Sequence, residues 1–166
     1  MSGSRCYQVA NGQRGVNVSA CVAICMEKPI HYQLKEGAFC RQDFESFLME
    51  VFDLRKIDIY NSYVIVLDNA RIHHGLSLPD NSPETVFLPP YSPFLNPIES
   101  VFSVIKCGVK KDLCWINSES TQPERKKKLY RSISQRTEAA KDFACFYRHC
   151  KSYLTRCLLM EDIFGD

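Results

Sequence analysis

From Val16 the chain alternates, with Val16, Val18, Ala20, Val22 and Ile24 on one side and Asn17, Ser19 and Cys21 on the other, a period of two that predicts a β-strand. Pro29 interrupts the pattern, and Ile30 to Leu34 is expected to return as the second strand of a hairpin. Between Gln42 and Leu54 the spacing lengthens, because Phe44, Phe47, Leu48 and Val51 recur at helical intervals. That predicts an amphipathic helix with Asp43, Glu45 and Glu50 on its solvated face. Tyr63-Val64-Ile65-Val66-Leu67 is a continuous apolar run of strand length, rich in β-branched residues, as expected of a strand covered on both faces. Glu84 to Leu88 reads as another strand. Further on, Ile98, Val101, Phe102 and Ile105 follow the i, i+3, i+4, i+7 rule of a helix that buries one side, leaving Glu99, Ser103 and Lys106 on the other. Asn117 to Gln122 is a polar loop, and Pro123 opens a long helical stretch. Phe143, Phe146, Tyr147, Tyr153 and Leu154 then give the last segment an apolar face for the core or for a partner chain.

Two acids stand at the joints of this pattern. Asp68 closes the apolar run, and the carboxyl end of a buried strand is where open α/β sheets place their ligands. From this feature alone the local alternative is the favoured one, since Asp commonly ends a strand by bonding its own backbone two residues on. Glu99 follows a loop made stiff by Pro89, Pro90, Pro93 and Pro97, each of which fixes φ and biases its predecessor toward extended geometry. Asn96-Pro97 reads as helix N-cap and first helical residue, so Glu99 falls at the third helical position. There it can reach back to the Asn96 N–H as a capping box, or stand on a rigid mount as a metal ligand.

These residues carry a resemblance. Val64-Ile65-Val66-Leu67-Asp68-Asn69-Ala70-Arg71-Ile72-His73 and Leu88-Pro89-Pro90-Tyr91-Ser92-Pro93-Phe94-Leu95-Asn96-Pro97-Ile98-Glu99 resemble the second and third acidic motifs of mariner-type transposases of the DDE superfamily. A weaker likeness runs upstream through Gly12 to Ser19 and Glu36-Gly37, and downstream to Lys106, covering roughly the first two thirds of the chain. The resemblance implies an α/β, RNase H-like mixed sheet flanked by helices, with a helical C-terminal tail. It divides the chain into a partial catalytic core over residues 1–110 and a basic helical region over 111–166. It also implies a DNA-cleaving and strand-transfer chemistry in which three acids hold two Mg²⁺ (or Mn²⁺) ions across the reacting phosphodiester. Asp68 and Glu99 match two of those positions, with 30 residues between them, a tighter spacing than in many relatives. The likeness makes Asn69, His73 and Asn96 site-lining candidates.

The first acid of the pattern belongs on a strand just before the segment matching Arg14 to Asn17. Residues 1–13 contain no Asp or Glu. The expectation is therefore a chain truncated at its N-terminus, lacking its first core strand, with weak metal binding and little activity alone. A complementing transposase chain or a homo-oligomer would be the remedy. The alternative is a non-enzymatic DNA- or protein-binding protein derived from a transposase.

Charge refines the picture. The net +2 conceals 8 Lys and Arg against 11 Asp and Glu before residue 101, and 13 against 8 from there on. An acidic front that attracts cations and a basic rear that attracts phosphate suit a nucleic-acid enzyme. Arg125, Lys126, Lys127 and Lys128 form the densest basic run and, with Lys106, are the candidates for DNA contact. A solvated helix face explains the same run. Nine cysteines with no apolar leader behind Met1 point to a reducing, intracellular setting, nucleus or cytoplasm, and no apolar run reaches membrane-spanning length.

Overall fold

The alternating stretch closes into a hairpin. In the computed structural model, which describes residues 17–55, 63–114, 121–141 and 143–159, β1 (Val18–Ile24) pairs antiparallel with β2 (Pro29–Glu36). Val18 stands opposite Glu36 and Val22 opposite Tyr32, and the register shifts by a bulge between Ala23 and Ile24. Pro29, which was expected to interrupt the alternation before a second strand from Ile30, is itself the first residue of β2, the position where a missing N–H costs least.

Because side chains alternate across a strand, the hairpin has two faces, and each meets a helix. On one, Cys21, Ala23 and Ile30 pack on α1 (Arg41–Arg55), whose Phe44, Phe47, Leu48, Val51 and Phe52 are buried as the helical spacing predicts. His31 and Gln33 reach the Glu50 carboxylate at 2.7 and 2.9 Å from the same side. Asp43 anchors the start of this helix. Its carboxylate accepts the Cys40 N–H at 2.7 Å and lies 2.5 Å from Lys35 Nζ, and these contacts hold it well below the usual carboxylate range. On the other face Ile24 joins a second cluster, and the Tyr32 hydroxyl donates to Glu138 at 2.7 Å.

β3 (Val64–Leu67) pairs with β4 (Glu84–Phe87) in parallel, Val64 beside Glu84 and Leu67 beside Phe87. The connection between them makes a tight helical turn over Arg71–His73, passes Gly75 at φ +64, and returns along α1 through Leu76 and Leu78. Ile65 and Leu67 pack on α1, whereas Val64 and Val66 are each 53% exposed. The expectation of cover on both faces is thus corrected: among the described residues no helix lies over the Val64, Val66 side. The mixed α/β character is present, but as one antiparallel and one parallel pair bridged by α1. This architecture, with its helical rear, is consistent with an RNase H-like fold. The family pattern puts its acid-bearing first strand just ahead of Arg14, and this chain was expected to lack it. That position, and most of the polar loop read from Asn117 on, lie outside the described residues.

The remaining helices form the second cluster. α2 (Pro97–Leu113) buries Val101, Ile105 and Val109 against Leu129 and Ile133 of α3 (Gln122–Ala139) and against Phe143, Phe146 and Tyr147 at α4 (Ala144–Leu158). Phe143, Phe146 and Tyr147 of the last segment therefore pack on the core, Phe143 being 1% exposed, whereas Tyr153 meets the Phe94 ring and Leu154 is 48% exposed. Gly108 lets α2 and α3 approach closely, since a Cβ there would meet Arg136 Cδ at 2.7 Å. Arg136 and Ser132 both bond Asp112, at 2.5 to 2.9 Å, and lower its carboxyl to about 2, Arg136 being the larger cause.

Candidate functional site

Parallel pairing carries the ends of β3 and β4 out at the same edge, and both predicted acids arrive there. A cleft of about 480 Å³ opens at this edge, lined by Asp68, Asn69 and Ala70 after β3, by Leu88 to Pro93 after β4, and by Asn96 and Glu99 at the start of α2. Residues 68 and 99, distant along the chain, thus share one concave surface. A cavity of about 340 Å³ between β2 and the end of α3, lined by Lys28, His31, Tyr32 and Glu138, contains none of the predicted site residues.

Asp68 is fixed from behind. The Ala70 N–H donates to its Oδ1 at 3.0 Å, so the local turn foreseen for a strand-ending Asp is made. His73 Nδ1 lies 2.7 Å from that same oxygen and 3.3 Å from the Asp68 carbonyl oxygen. The imidazole is itself packed on the Phe44 ring, centroids 4.2 Å apart. His73, expected to line the site, stands behind Asp68 rather than on the cleft wall. His74 is exposed and stacks on Phe87 at 4.6 Å.

Across the cleft, Asn96 caps α2: its side-chain oxygen accepts the Ile98 N–H at 3.3 Å, and Pro97 occupies the first turn. The Asn96 N–H is already taken by the Pro93 carbonyl at 3.0 Å. Glu99 therefore makes no capping box and stands exposed on the lining of the cleft. The helix start favours negative charge at this point. Asn69 ties the two walls together, because its side-chain amide donates to the Leu88 carbonyl, next to the Leu88 N–H bond to the Leu67 carbonyl at 2.8 Å.

The lining contains two carboxylates, amide and hydroxyl oxygens, and no lysine, arginine, cysteine or histidine. Carboxylates within a concave site attract a cation, and an all-oxygen donor set suits a hard divalent ion such as Mg²⁺ or Mn²⁺. Among the described residues no three His, Cys, Asp or Glu side chains gather into a ready-made metal cage.

The basic candidates lie elsewhere. Lys106 projects from α2 toward the Phe102 ring, 5.9 Å from its centroid, about 10 Å along the helix from Glu99. Lys126 pairs with Glu36, Arg125 is half-buried, and Lys127 and Lys128 are exposed. None of the four lines the cleft. Their helix bonds α2 at Asp112, about 20 Å along α2 from Glu99. Sequence reasoning missed the supporting role of His73, whose signal was its place one helical turn after the Asp-Asn strand end. It also left Tyr91 unexamined, the one non-glycine with positive φ among the described residues.

A family model described as DDE superfamily endonuclease matches residues 1–122. No curated protein and no solved structure matches the chain.

Proposed function

The chain belongs to the DDE superfamily endonuclease family, and from that premise we propose a mariner-type catalytic domain in which Asp68 and Glu99 hold a divalent cation against DNA. The observation that carries this reading is the shared cleft, whose lining includes both Asp68 and Glu99 and holds no lysine or arginine. The cation would be Mg²⁺ or Mn²⁺, and when bound it would polarise a phosphodiester and lower the cost of charge developing on the reacting oxygens. The protein's own part is positioning. His73 and the Ala70 N–H engage Oδ1 of Asp68, while the capped helix start and the proline loop mount Glu99 on the same cleft.

Two carboxylates hold Mg²⁺ loosely, because this ion keeps most of its water unless several ligands displace it. The 166-residue chain alone is therefore a weak metal binder with little strand-transfer activity. Titration with Mn²⁺ followed by electron paramagnetic resonance tests the site. Saturable binding that vanishes in both Asp68→Ala and Glu99→Ala supports it, and binding indifferent to either change refutes it.

A second reading rests on the exposed Lys127 and Lys128, which offer phosphate contacts away from the cleft. DNA retardation that needs no metal and is lost when these lysines become glutamate would make the protein a non-enzymatic DNA binder.

A further inference from the structure

Tyr91 is 96% exposed, at φ 58, on the rim of the cleft that Asp68 and Glu99 share. A left-handed backbone is uncommon for a residue with a Cβ, and it persists only where neighbours over-determine it. Here they do. Pro89 and Pro90 precede the residue, Pro93 follows shortly, the Ser92 hydroxyl donates to the Pro90 carbonyl at 3.3 Å, and the Leu95 N–H bonds the Ser92 carbonyl at 3.1 Å. The result is a large flat ring on a stiff mount, in contact with no other ring among the described residues and contributing nothing to either core cluster. Folding therefore does not explain it.

The electrostatics of the cleft suggest what does. Its lining is anionic and holds no lysine or arginine, so it repels phosphate until a cation enters, and even then lacks the basic contacts that usually supply nucleic-acid affinity. Some non-ionic interaction must help hold the strand. An aromatic face is the side chain best suited to this, because every nucleobase has an apolar face on which it can stack. We propose that Tyr91 is a stacking platform for an unpaired DNA base next to the phosphate bound in the cleft. It acts as a positioning residue, and the inference rests on the metal-dependent reading of Asp68 and Glu99.

The test is the affinity of the full chain for a short fluorescein-labelled oligothymidylate, measured by anisotropy with Mn²⁺ present over a range of salt. Tyr91→Ala should weaken binding by about 5- to 150-fold, as expected for loss of one stacked base, and Tyr91→Phe should bind like the parent. Tyr91→Gly adopts positive φ without strain, so it should fail as alanine does if the ring is what matters. The parent and alanine lines should run parallel against log salt, because stacking releases no counterions. Deleting a single base of the oligonucleotide should erase the difference between parent and alanine protein. Alanine binding like the parent, phenylalanine failing with alanine, glycine restoring affinity, or no binding by the parent would each overturn the proposal. Mn²⁺ binding in the absence of DNA separates this from the cation reading. Parent and Tyr91→Ala should bind the ion alike. A parent that binds no Mn²⁺ yet shows Tyr91-dependent DNA affinity sinks the cation site and leaves the stacking role standing.

Discussion

The Asp68 carboxylate has two oxygens, and both of its observed protein contacts fall on Oδ1. Those contacts set the plane of the group, so His73 controls which way Oδ2 points. Residues that orient a ligand without touching the ion commonly change metal affinity by about 10- to 100-fold when removed. His73→Ala should accordingly weaken Mn²⁺ binding on that scale while leaving it saturable, with His73→Gln recovering part of the loss by restoring a donor. An affinity unchanged in the alanine variant would show that the Ala70 N–H alone orients Asp68. Both acids were legible in the sequence, since a strand end and a capped helix start are local signals. What decided the state of Glu99 was not legible: the Pro93 carbonyl takes the Asn96 N–H, and no spacing rule says which acceptor wins that donor.

Elements behave according to what covers them. The run of apolar residues at 63–67 reads like a strand with two buried faces, yet Val64 and Val66 stay half in water, because composition reports the propensity of a strand and not the presence of a second layer. The spans of α1 and α2 were readable from their period, whereas the break between α3 and α4 was not, nor was the pairing of α2 with α3 through Asp112, a contact across a polar loop. That pairing has a pH signature. Asp112 is more acidic folded, at about 2, than its ordinary 3.8, so it stabilises the fold above the ordinary value. The contribution is lost as pH falls through the folded value. Acid titration followed by circular dichroism should show an unfolding component between about pH 4 and pH 2 that Asp112→Asn removes, while both proteins behave alike above about pH 5. If the asparagine variant kept the same acid transition, other carboxylates, Asp43 first among them, would be its source.

At the scale of the molecule, two apolar clusters lie on opposite faces of the hairpin, one built on α1 and one on α2. They have no buried residue in common, so their energetics should be separable. Leu48→Ala should cost about 2–5 kcal/mol and Ile105→Val about 0.5–1.5 kcal/mol. In urea unfolding the double variant should equal the sum within about 0.5 kcal/mol. A larger deviation would mean that the hairpin transmits strain between the layers.

The parallel pairing of β3 and β4 has one more consequence. Both walls of the cleft are anchored at the strand ends, through Asn69 and Leu88, while the crossover between the strands turns away at Pro79 to Ser82 on the far side. Spacing at the mouth is thus independent of how long that crossover is. An epitope tag spliced between the exposed Asp80 and Asn81 would report on the protein without disturbing its chemistry.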